Sequence, residues 1–224
     1  DRFFDVSNLQ KDLGARTGKS ASTVLFFPGA RFGITMLSTA ILARLIAPEQ
    51  HGIFVLALPA VFIAAGFSEF GLAQAVVQRK HVSHKLASTL FWINVSIGVL
   101  LTLAVVALAI PAAQFYEQTQ LAAVFVALAP YIFLSVLSTQ YVAILQRQMR
   151  IRVFEVCSLV GLTLSLVVAT IAAWLGAGVW ALVAQLLLSQ LALFVLLYVN
   201  TRWLPAPPWQ ANFLEALHPI NFGC

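Results

Sequence analysis

The chain has 224 residues, of which 61% are hydrophobic and only 9% charged, with a formal net charge of +5 and a mean hydropathy of +0.92. A soluble domain carries about a quarter of its residues as charge, so the polar side chains here are too few to cover a water-facing globule. Composition excludes soluble enzymes, nucleic-acid readers and disordered binders, and it points to a membrane protein.

Residues 1–21 are polar with scattered apolar side chains such as Phe3, Phe4, Val6, Leu9 and Leu13. This predicts a cytoplasmic segment compatible with a short helix on the inner membrane surface. No short apolar stretch with a small-residue cleavage site precedes the first span, so no cleavable signal is expected. Gly14 to Ser20, GARTGKS, approaches a phosphate-binding loop, but only three residues separate its glycines and no apolar strand precedes it. The motif needs both, and the segment reads as a basic approach to the first span.

Charge is costly in hydrocarbon, so charge-free windows of about 20 residues mark spans. Span one covers residues 22–45 and is interrupted by Arg31; span two covers 53–77 and carries Glu69. Spans three and four, residues 87–110 and 121–145, contain no charged residue. Val156 to Thr201 is 46 residues without a charge, broken near the middle by Gly176-Ala177-Gly178. It is too long for one helix and reads as spans five (156–175) and six (179–200) around a tight turn. A membrane barrel would instead show short alternating segments. The expected fold is all-α: a six-helix transmembrane lobe over residues 22–203, followed by a Pro-rich cytoplasmic linker, 204–224.

Basic residues in short loops set orientation. With the N-terminus cytoplasmic, that side receives eleven of the thirteen basic residues, the other side receives Arg44, and Arg31 lies within span one. The expected topology is therefore N-terminus and C-terminus both inside. Net positive charge then reflects topology and attraction to anionic lipid, and no nucleic-acid partner is implied.

The eight acidic residues are scattered singly, His81 and His84 have no Cys or carboxylate close by, and no nucleophile elbow is present. No enzyme site, metal site or cofactor is expected. Cys157 and Cys224 form no pairing pattern.

The informative residues are the charges inside the spans. Arg31 lies about 13 Å from the inner boundary at 1.5 Å per residue, and Glu69 about 12 Å from the inner end of span two. Thr35, Ser38 and Thr39 extend a polar stripe from Arg31. Two readings stay open: a neutralising Arg31–Glu69 pair that holds spans one and two together, or a water-filled cavity. In the second, Arg31 attracts an anionic substrate group and Glu69 is a counter-charge or protonatable coupling site. Gln74 and Gln185, with Gln78, Gln140 and Ser189, are candidates to line that cavity, although amides and hydroxyls also serve as ordinary interhelical contacts. Pro28, Pro59 and Pro130 lie within spans and predict bends.

Several segments, in order, resemble a known family: ILARLIAPEQHGIFVL from Ile41, FSEFGLAQAVVQRK from Phe67, Phe91-Trp92-Ile93-Asn94, LQRQMRIR from Leu145 and GVWALVAQ from Gly178. Together they resemble the polysaccharide-transporter branch of the multidrug/oligosaccharidyl-lipid/polysaccharide exporter superfamily. The resemblance implies an inner-membrane flippase for undecaprenyl-pyrophosphate-linked oligosaccharide, serving O-antigen, capsule or exopolysaccharide assembly, and no catalytic residue. It also implies two lobes around a central cavity, of which this chain supplies the first, with H⁺ or Na⁺ as possible coupling ion and polymerase or export machinery as partner. Rival readings are a drug or metabolite cation antiporter of the same superfamily and a membrane subunit of a polysaccharide polymerase.

Overall fold

A computed structural model describes residues 13–69, 84–148 and 150–202. Over those residues the chain forms six helices: α1 Leu13–Leu45, α2 Pro48–Glu69, α3 His84–Phe115, α4 Thr119–Arg147, α5 Ile151–Trp174 and α6 Val179–Thr201. Each contains a stretch of at least 20 residues long and apolar enough to cross a membrane, and no strand occurs among the described residues. The protein is an all-helical, polytopic membrane protein.

Helix bounds follow local chemistry more closely than charge does. Pro48 opens α2 where a missing backbone N–H costs nothing, with Glu49 in the first turn favourable to the helix dipole. This start lies five residues ahead of the charge-free window. Helix α5 likewise begins at Ile151 and takes in Arg152 and Glu155, because charged side chains at a span's end reach interfacial water without breaking the helix. Residues 13–20, the near-match to a phosphate loop, are the first turns of α1, so no loop is formed there. Helix α1 runs without a break through residue 22 as one helix of 33 residues, about 50 Å long, whose apolar span is Phe26–Leu45.

Three turns share one end of the bundle: Ile46–Ala47, Tyr116–Gln118 and Leu175–Gly178. It is called here the Gly178 end, and the opposite end, with the α4–α5 turn, the Arg150 end. Gly176 and Gly178 have φ of 82° and 57°, a left-handed region open to glycine at little cost. At Gly178 the space a Cβ would take is filled by the Gln50 side-chain amide, so α2 rests on the α5–α6 turn there. Pro111 joins Pro28, Pro59 and Pro130 as a proline inside a helix.

Helix α4 is the centre of the lobe, packing on α3, α6 and α2, while α5 covers α6 and α1 lies outside α5. The main packing partner of α1 is therefore α5 and not its chain neighbour α2. One apolar cluster at the Gly178 end joins α2, α3, α4 and α6 around Ala57, Val61, Leu121, Leu128 and Ile132. A second at the Arg150 end joins α3, α4, α5 and α6 around Phe91, Tyr141, Leu145 and Leu197. A third seats α1 through Leu42 and Ile46 on Ala169, Ala173 and Ala181.

Small residues set these contacts, because lipid tails are as apolar as leucine and only close fit favours helix over lipid. Gly161 brings α5 so near α6 that a Cβ would meet the Ser189 carbonyl at 3.1 Å. Gly98 does the same for α3 against Val136 of α4. Outward faces carry exposed Phe32, Leu103, Ile110, Leu164 and Ile171, an apolar surface suited to acyl chains and not to water.

Candidate functional site

The site begins on one stripe of α1. Ile46, Leu42 and Ser38 are buried, Ile34 and Phe27 are half-buried, and Arg31 is exposed. Arg31 precedes Ser38 by seven residues, which turns it only about 20° around the helix and moves it about 10 Å along the axis. The face that is sealed against α5 and α6 near the Gly178 end is thus open at Arg31. Glycines flank it, and a Cβ at either Gly29 or Gly33 would meet nothing within 4 Å. No partner for the guanidinium occurs among the described residues. An exposed guanidinium there offers a planar, forked set of donors suited to carboxylate or phosphate oxygens.

The remaining stripe residues divide by chemistry. Thr35 Oγ1 donates to the Arg31 carbonyl at 2.8 Å, and Thr39 Oγ1 to the Thr35 carbonyl at 3.0 Å. Each hydroxyl proton is committed to its own helix, leaving lone pairs that suit a donor and not an anion. Ser38 and Gln185, separated by 147 positions in sequence, are brought together: Gln185 Nε2 donates to Ser38 Oγ. This bond ties α1 to α6 near the Gly178 end and seals the stripe above Arg31.

Glu69 is the final residue of α2 as described, and its side chain lies outside the described residues, as do Gln74 and Gln78 entirely. Counted from the turn joining α1 to α2, Arg31 is 14 residues back from Leu45 and Glu69 is 21 residues on from Pro48. At 1.5 Å per residue these are about 21 Å and 32 Å along the two helices. By this count the two helix runs differ by about two turns. The cause is the earlier start of α2 at Pro48, and α1 itself packs on α5.

Gln140 does not face Arg31. It is 1% exposed, on the α3 side of α4, and Ser189 Oγ donates to the Leu186 carbonyl at 2.8 Å. Two polar residues that hydropathy did not single out sit inside the bundle: Gln190, whose Nε2 donates to Ser138 Oγ at 3.2 Å, and Asn94, buried at 1% exposure. Each looks in sequence like one more polar residue in an apolar run; only the helix it faces gives it a role. No group of three or more His, Cys, Asp or Glu side chains able to hold a metal occurs among the described residues.

Six apolar helices packed around a central α4 among the described residues define a polytopic membrane protein. The chain belongs to the family described as polysaccharide biosynthesis protein, which matches residues 41–223. Succinoglycan biosynthesis transport protein ExoT of Rhizobium meliloti (strain 1021) is 30% identical over 192 residues, covering 86% of this chain and 39% of that protein. Lipopolysaccharide biosynthesis protein WzxC of Escherichia coli (strain K12) is 30% identical over 100 residues, 45% of this chain and 19% of that protein. The chain therefore spans about two fifths of the length of the first relative and one fifth of the second. No solved structure gives a significant match.

Proposed function

We propose that this chain forms one lobe of an inner-membrane flippase that moves undecaprenyl-pyrophosphate-linked oligosaccharide from the cytoplasmic to the periplasmic leaflet. The observation that carries the reading is Arg31, exposed on the α1 stripe that elsewhere faces the lobe, in a chain related to proteins named for polysaccharide transport and biosynthesis. A pyrophosphate or acidic sugar presents paired oxygens to such a guanidinium. Glu69 acts as counter-charge or coupling group, with H⁺ or Na⁺ as the ion, and Gln74 extends the polar lining. Ser38 and Gln185 act by holding α1 against α6.

Orientation in this reading places the Arg150 end in the cytoplasm. Arg147, Arg150, Arg152 and Arg202 cluster there, whereas the Gly178 end carries Arg44, Glu49 and Glu117, the asymmetry of a positive-inside protein. Both termini are then cytoplasmic, and polymerase or export machinery meets the periplasmic face.

The test is the leaflet distribution of undecaprenyl-linked oligosaccharide in cells depleted of the protein, read with a sugar label confined to the periplasm. Repeat units held on the cytoplasmic face support the flippase. Single units that reach the periplasmic face without being polymerised replace it with a polymerase subunit, and an unchanged distribution with altered export of toxic cations replaces it with a drug antiporter.

A further inference from the structure

Helices α3 and α4 run antiparallel from the tight turn at Tyr116–Gln118. Their register is set by the close contact at Gly98, where a Cβ would lie 2.8 Å from Val136 Cγ2. One turn further toward the Arg150 end, four residues along each helix, this register sets Asn94 of α3 opposite Gln140 of α4. Both are 1% exposed. Among the described residues, neither the amide nitrogen nor the amide oxygen of either residue has a hydrogen-bond partner.

These two stand apart from other buried polar residues of the lobe. Ser38, Ser138, Ser165 and Thr201 all engage a helix carbonyl or a facing carboxamide. A carboxamide buried with nothing to bond costs free energy, and native interiors satisfy such groups with protein or with water. Here the unmet groups come as a facing set of two NH₂ donors and two carbonyl acceptors. A cation would engage the two oxygens and leave both NH₂ groups unmet; an anion would do the reverse. A water molecule has two protons to give and two lone pairs to receive, and so meets all four atoms.

We propose that Asn94 and Gln140 bind one buried water molecule between α3 and α4, which joins the two helices through both side chains. Ser88 and Thr89, also buried on α3, lie nearer the Arg150 end, so the site sits in the half of the α3–α4 seam toward that end. The inference is independent of what the protein transports.

X-ray radiolytic footprinting of the protein, purified from membranes into lipid nanodiscs, tests the site, because radiolysis of a bound water releases hydroxyl radical onto its neighbours. Phe91 lies three residues from Asn94, and Phe125 lies in the other half of α4's core; the two have the same chemistry and nearly equal burial, 6% and 4% exposed. Oxidation of Phe91 is expected several-fold faster than that of Phe125, and the near-isosteric pair Asn94→Leu with Gln140→Met is expected to bring the two rates together. Equal rates in the unaltered protein, the result of a dry seam or of carboxamides bonded directly to each other, overturn the proposal. So does a Phe91 excess that survives in the double variant. If the double variant does not fold, the comparison in the unaltered protein decides alone.

Discussion

At the scale of single residues, Arg31 differs from the polar side chains that hold the helices together. Arg31 is exposed and has no partner among the described residues, so Arg31→Ala is expected to leave protein abundance and thermal stability in membranes unchanged while lowering glycan export. Arg31→Lys keeps the charge but not the forked geometry, and is expected to restore export only in part. The check is export per unit of membrane-inserted protein for both variants; full export with Arg31→Ala removes its role. Ser38 and Gln185 are expected to behave in the opposite way. Ser38→Ala and Gln185→Leu each lose the α1–α6 bond, at a cost of about 0.6–1 kcal/mol for an interhelical bond in a membrane. The double variant should cost little more than either single one, which a double-mutant cycle on unfolding in bicelles would reveal as coupling.

At the scale of elements, close approach decides which helices stay together. Gly161→Ala places a methyl 3.1 Å from the backbone carbonyl of Ser189, and backbone cannot step aside as a side chain can. Destabilisation of about 1–3 kcal/mol is expected from such overpacking, seen as a lowered unfolding midpoint. Gly29→Ala and Gly33→Ala meet open space, so the same assay should find them neutral or stabilised by about 0.5–1 kcal/mol from helix propensity. Gly178→Ala is expected to be worse than either, since its φ of 57° strains a side chain and the Gln50 amide occupies the added atom's place. The Gly161 and Gly29 results together test whether the α5–α6 seam and the open face of α1 are correctly distinguished.

At the scale of the whole molecule, the two ends of the bundle carry different charge, and orientation follows from it. With Cys157 and Cys224 replaced by Ser, Gln118→Cys is expected to react with a membrane-impermeant thiol reagent added outside intact inner membranes. Arg150→Cys is expected to react only after the membrane is opened. The reversed pattern would invert the lobe in the membrane. Packing at this scale also explains why α1 is the least enclosed helix: it meets the bundle mainly through α5, on small residues such as Ala169 and Ala173.

The class of protein, the six apolar helices among the described residues and the turn between α5 and α6 were legible from composition, charge-free runs and the glycines of Gly176-Ala177-Gly178. Each depends on the free energy of a local segment in lipid, which adds up residue by residue along the chain. Arg31 was legible in the same way, as a charge where none is cheap. Tertiary structure alone decided that α1 lies against α5, that Ser38 and Gln185 meet, and that Gln140 is buried inside the bundle. Such outcomes depend on pairs of helices. In a solvent as apolar as the side chains themselves, pairing is chosen by steric fit at residues such as Gly98 and Gly161 and by a few buried hydrogen bonds, and a hydropathy pattern read along one strand of sequence carries neither.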